Sequence, residues 1–171
     1  MGDASIKACT MKILTMTLQK ILLSAFFASV CLIGVRAQDN ESATKLIVES
    51  GQFVFHAQTA MPMSGTSRQL TSEYDLKVSK DAVVSYLPFF GRAYSLPYGT
   101  TDGGFNFTSR KFDYSVSQRR KGGWQINIKP KDVADFREFS LLLSKTGYGT
   151  LQVVSNNRQP ISFTGYITSL K

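Results

Sequence analysis

The sequence predicts an all-β fold, an antiparallel meander that curls into a small barrel or sandwich behind a short N-terminal helix. From Gln52 to the C-terminus, apolar residues recur with a period of two in short runs separated by turn-forming residues. No segment there carries a helical period long enough for βαβ crossovers, so successive strands must pair antiparallel through short loops. Gly149 and Gly165 fall in or beside strands. Glycine there marks a bend or bulge, which favours a barrel over a flat sandwich.

Residues 1–37 read as a secretory signal peptide. Lys12 and Lys20 lead into the apolar run Ile21–Val35, and Val35 and Ala37 place small residues three and one positions before Gln38. At about 15 residues the run is shorter than the ~20 that span a bilayer. Translation can begin at Met1, Met11 or Met16 without loss of this signal. Cys31 offers a second reading, a lipid anchor on that cysteine, but Ala28-Ser29-Val30 before it is a poor lipobox. Cleavage after Ala37 leaves 134 of the 171 residues, with neither Cys9 nor Cys31 among them. A disulfide or thiolate metal site is therefore not expected, and stability has to come from the apolar core. Export without disulfides suits a bacterial periplasm or outer envelope. Of 20 basic and 12 acidic residues, removal of Lys7, Lys12, Lys20, Arg36 and Asp3 leaves 16 and 11, a net charge of +5. That modest excess is compatible with peripheral contact to a membrane surface or with an anionic glycan.

Residues 38–50 are expected to form the N-terminal helix and linker, with Asn40 or Ser42 as N-cap, Gly51 as the left-handed stop, and Leu46 and Ile47 covering an edge or mouth of the sheet. The β domain is expected over 51–171. Phe53, Phe55 and Ala57 form one strand face, followed by the turn-rich Met61–Ser67. Tyr74, Leu76 and Val78 form the next face, and Lys80-Asp81 turns into Ala82–Tyr86. Phe105 and Phe107, then Phe112, Tyr114 and Val116, continue the pattern. Lys121-Gly122-Gly123 reverses into Trp124–Ile128 as a hairpin. Pro130–Asp135 is a loop or single helical turn, Phe139, Leu141 and Leu143 alternate next, and Gly147-Tyr148-Gly149 turns into Leu151–Ser155. Asn156–Pro160 is the last turn before Ile161, Phe163, Gly165 and Ile167. About nine strands result.

Between these ordinary strands lies Ser85–Gly99, with five aromatic rings, two prolines, two glycines and Arg92. Neither a helical period nor strict alternation accounts for it. Its rings are expected to close one end of the barrel, with Pro88 and Pro97 stiffening the crossing.

Leu87-Pro88-Phe89-Phe90-Gly91-Arg92-Ala93-Tyr94, Lys121-Gly122-Gly123-Trp124, Gly147-Tyr148-Gly149 and Asn156-Asn157-Arg158-Gln159-Pro160-Ile161-Ser162, in that order, resemble the exported bacterial proteins catalogued as domain of unknown function 4251. The resemblance runs from about Thr44 to the end. It implies a signal-peptide or lipoprotein precursor and a lipocalin-like barrel, and carries no established activity.

Catalytic chemistry finds few candidates. The single histidine, His56, sits on a strand with mixed neighbours, and reads as an exposed strand residue rather than the base of a triad. One histidine and no cysteine are too few for zinc. Asp132 with Asp135, and Glu73 with Asp75, are the carboxylate pairs, better read as turn and solubility residues than as acid–base or calcium sites. Nucleic acid is not an expected partner of an exported protein whose basic residues cluster only at a hairpin tip, Arg119-Arg120-Lys121. The expected function is that of a non-catalytic envelope binding module for a lipid-like, glycan-derived or small amphipathic ligand, without cofactor or metal. Tyr86, Phe89, Arg92, Tyr94, Tyr98, Trp124, Tyr148 and Arg158 are the candidate ligand-binding residues, rings supplying apolar area and arginine fixing an anionic group. An interaction component of an envelope complex is the alternative, and an uncharacterised hydrolase a second. Ligand identity and oligomeric state are not set by the sequence.

Overall fold

A computed structural model describes residues 35–94 and 103–170. The expected leader before Val35, with Cys31, and the candidate Tyr98 lie outside the described residues. Asn40–Lys171 forms a compact unit with its own apolar core.

One helix, α1 (Val35–Ser50), precedes the sheet. It starts earlier than Asn40 or Ser42, the expected caps, and both lie inside it. No proline or glycine stands between Val35 and Asn40 to stop a helix from extending forward. The C-terminal expectation holds, since Gly51 adopts a φ of 64° and donates its N–H to Val48 O at 3.2 Å. Of the two residues expected to cover the sheet, Ile47 packs partly buried against the core and Leu46 does not. Thr44 and Val48, one turn apart, are the buried pair, whereas Leu46 is 69% exposed.

Nine strands follow: β1 (Phe53–Pro62), β2 (Arg68–Val78), β3 (Val83–Leu87), β4 (Phe105–Ser109), β5 (Phe112–Gln118), β6 (Trp124–Pro130), β7 (Phe136–Leu143), β8 (Tyr148–Ser155) and β9 (Ile161–Ser169). All pairings are antiparallel. Their spatial order is β4-β3-β2-β1-β9-β8-β7-β6-β5. Two meanders are thus joined where the first strand meets the last, and the result is a nearly closed barrel. The edges left over, β4 and β5, are consecutive in sequence.

The carboxylate of Asp132, from the β6–β7 loop, holds the corner between those edges. It accepts hydrogen bonds from Ser109 Oγ and from the backbone N–H groups of Arg110 at 2.8 Å and Lys111 at 3.2 Å. These donors, the Ser109 hydroxyl foremost, keep its pKa below the usual carboxylate value. α1 packs near the same edge, with Tyr114 Oη on β5 donating to Val48 O at 3.5 Å. Burial pushes the Tyr114 phenol up to about 12.

The interior is filled by side chains. Phe53, Phe55, Phe139, Phe163, Leu76, Leu87, Ile126, Ile128, Leu141 and Leu151 are fully buried. Phe105, Phe107, Phe136 and Phe139 form a run of tilted, edge-on and stacked rings with centroids 4.4–6.0 Å apart. Register in β1 shifts between Ala57 and Thr59 against both neighbours, a bulge that brings Ala60 inward. Gly165 lies across β9 from Ala57. A Cβ there would collide with the carbonyl of His56, so only glycine lets the bulged strand approach. At the β5–β6 hairpin Gly122 and Gly123 have φ of 84° and 82°, which the tight reversal needs and other residues resist.

Candidate functional site

Strand direction places the β1–β2, β6–β7 and β8–β9 loops at one end of the barrel, because Pro62, Ile161 and Val153 align there. The segment after β3 joins them. Ala93 makes an isolated bridge with Arg158, Tyr94 N–H donates to Asn157 O at 2.7 Å, and Gln159 N–H donates to Arg92 O at 3.1 Å. Pro88–Tyr94 therefore crosses this end as an added edge on the β8–β9 loop. Phe89 and Phe90 pack against the core, Phe89 edge-on to Phe105 at 5.4 Å.

Arg158 is the pin of this end, 7% exposed. Its Nη1 donates to Gly103 O at 2.7 Å and Gly104 O at 2.9 Å. Its guanidinium lies over the rings of Phe105 at 5.0 Å and Phe89 at 5.5 Å. Nε sits 3.5 Å from Asp135 Oδ2, close enough for charge attraction but without hydrogen-bond alignment. Asp135 in turn accepts from Asn157 Nδ2 at 2.7 Å and from Ser155 Oγ. Three loops are thereby tied through one buried cation and one carboxylate.

Beside this knot opens a cleft of about 160 Å3, lined by Tyr74, Tyr86, Leu87, Pro88, Phe89, Gly103, Gly104 and Asn106. The Tyr74 and Tyr86 rings stack at 5.5 Å and 25°. Tyr86 is 49% exposed. A Cβ on Gly104 would lie 2.8 Å from Leu87 O and 3.2 Å from Asn106 Nδ2, so glycine keeps the cleft floor clear. At the other end of β8, a wider concavity of about 640 Å3 lies between two hairpin tips, bordered by Arg119, Lys121, Leu142, Lys145 and Tyr148.

The candidate residues separate accordingly. Tyr86 and Phe89 share the smaller cleft, and Tyr148 borders the larger. Arg92 and Tyr94 are exposed on the crossing segment near Arg158. Arg158 and Trp124 line neither concavity. Arg158 is held beneath the loops, and Trp124 is 8% exposed in the core, facing Leu143 on β7. Tyr74 and Asn106 were not anticipated. Tyr74 continues the inward parity of Leu76 and Val78, and nothing local shows that Tyr86 of β3 stacks on its partly buried ring.

His56 is on the outer face, 3.0 Å from Thr168 Oγ1 and tilted against Tyr166. Asp75 pairs with Lys77 at 3.2 Å. Among the described residues no three His, Cys, Asp or Glu side chains are grouped to hold a metal, and no helix is long and apolar enough to cross a membrane.

The family model for a domain of unknown function, DUF4251, matches residues 35–167, nearly the whole described barrel and its helix. The chain belongs to the DUF4251 family. A crystal structure of a DUF4251 family protein from Bacteroides eggerthii is similar, with a TM-score of 0.57 and 16% identity over 76% of this chain and 87% of that one. At that identity the likeness speaks for the DUF4251 fold alone. No curated protein matches significantly in sequence.

Proposed function

We propose that this DUF4251 protein is a non-catalytic binding module of the bacterial envelope that takes a glycan-derived ring in the Tyr74–Tyr86 cleft. The stacked tyrosine pair carries the reading. The two rings offer an apolar face with the tyrosine hydroxyls at its edge, the combination a sugar ring satisfies. A volume of about 160 Å3 falls below the ~300 Å3 of sites for drug-sized molecules, so a single ring fits better than a chain. The filled interior argues against a lipid tail inside the barrel. Anchorage on a sheet margin, with the floor pinned through Arg158, keeps the site pre-formed and limits the entropy cost of binding.

Titration of the Asn40–Lys171 domain with N-acetylglucosamine, its short oligomers and palmitate, followed by backbone NMR, tests this. The sugars are expected to shift Tyr74, Tyr86 and Asn106, with Tyr86→Ala weakening the effect about tenfold and Tyr86→Phe little. Equal sugar binding by Tyr86→Ala would refute the assignment. So would a response to palmitate alone.

A further inference from the structure

We infer that the opposite end of the barrel is a docking face for a membrane surface rich in anionic headgroups. The β5–β6 tip presents Arg119, Arg120 and Lys121, all exposed. Arg119 and Lys121 border the concavity of about 640 Å3 with Lys145 from the β7–β8 tip. Lys145 already bonds Glu41 at 2.9 Å, whereas Arg119 and Lys121 have no ion pair among the described residues. Between these cations stand Tyr148, 59% exposed, and Leu142, 36% exposed. Cations around an exposed ring and an aliphatic side chain match the interface of a bilayer, where phosphates lie outside and an apolar boundary begins beneath.

The shape favours a surface over a soluble anion. The concavity is broad and open between two hairpin tips, and none of its cations is buried, so it would surround a small anion poorly. Glu41 on α1 bonds Lys145 on the β7–β8 tip, which leaves Arg119 and Lys121 as the cations available to phosphates. The Lys145 side chain lies against Gly122, with Cε 2.5 Å from where a Cβ would stand, so the two tips meet at this face. This face shares no residue with the Tyr74–Tyr86 cleft, so either assignment can fail alone.

The Asn40–Lys171 domain is the right material, because the apolar run 21–35 would bind vesicles by itself. Co-sedimentation with phosphatidylglycerol vesicles should exceed that with phosphatidylcholine and fall with added salt. At about fivefold per cation, Arg119→Ala with Lys121→Ala should lower vesicle affinity about 25-fold. The charge-matched control Arg110→Ala with Lys111→Ala should change it little, and Tyr148→Ala should weaken it at unchanged salt dependence. Equal binding to both vesicles overturns the inference. So does equal loss in the control pair, or full competition by millimolar inorganic phosphate, which would mark a soluble-anion site.

Discussion

At the scale of single residues, Arg158 shows how a side chain suited to ligand recognition can be consumed by the fold. Its charge is shielded by two aromatic faces and bound to two backbone carbonyls, and nothing of its fork points into either concavity. Replacement by alanine would leave Gly103 O and Gly104 O without this donor and Asp135 without its cation. The expected loss is about 2–3 kcal/mol, read from urea unfolding midpoints. Arg158→Lys keeps the charge but not the planar stack, so it should recover only part of that stability. A loss in Arg158→Ala no larger than that of an exposed arginine such as Arg120→Ala would show that the three loops hold together without it.

At the scale of elements, Asp132 does what a ladder of hydrogen bonds does elsewhere in the sheet. The edges β4 and β5 lack the mutual pairing that closes a full barrel, and one carboxylate fixes the corner between them. Its folded pKa is lowered, so the folded state binds the proton less readily than the unfolded chain does. The stabilisation is therefore complete above the usual carboxylate value near 4 and is lost as pH falls through the lower folded value. Wild type should lose more of its urea midpoint between pH 5 and pH 2 than Asp132→Asn, the two curves converging in acid. Parallel curves would mean that this corner is not held by the ionised carboxylate. The strands themselves were legible because alternation is a local property, and Phe105, Trp124, Ile126, Leu141 and Phe163 are buried as their parity requires. The corner was not, since Asp132 meets Ser109 across 23 residues and two aspartates sharing a loop, Asp132 and Asp135, read as turn chemistry. The β1 bulge was equally hidden, because it shows only against its partners. The same limit applied to the cleft, where Tyr86 was legible as one of a dense group of rings and Tyr74 needed a stacking partner from another strand.

At the scale of the molecule, closure depends on the first strand meeting the last. Among the described strands β9 supplies the hydrogen-bonded ladder that joins the two meanders, filling the place between β1 and β8 over most of its length. It also delivers Ile161, Phe163 and Ile167 to the core. Nearly all the chain must be ordered before this pairing returns any free energy, and such non-local topologies fold in about milliseconds to seconds. A domain cut after Pro160 should therefore lack cooperative urea unfolding and slow amide exchange, although every other strand is present. Its β1 and β8 would be open edges beside an uncovered apolar interior, the arrangement that drives edge-to-edge association. A peptide spanning 161–171 should restore cooperative unfolding when added in trans, since the gap it enters offers hydrogen bonds on both sides. Cooperative unfolding of the truncated chain alone would show instead that the β5–β8 meander folds without the other half, and that β9 merely joins two units already formed.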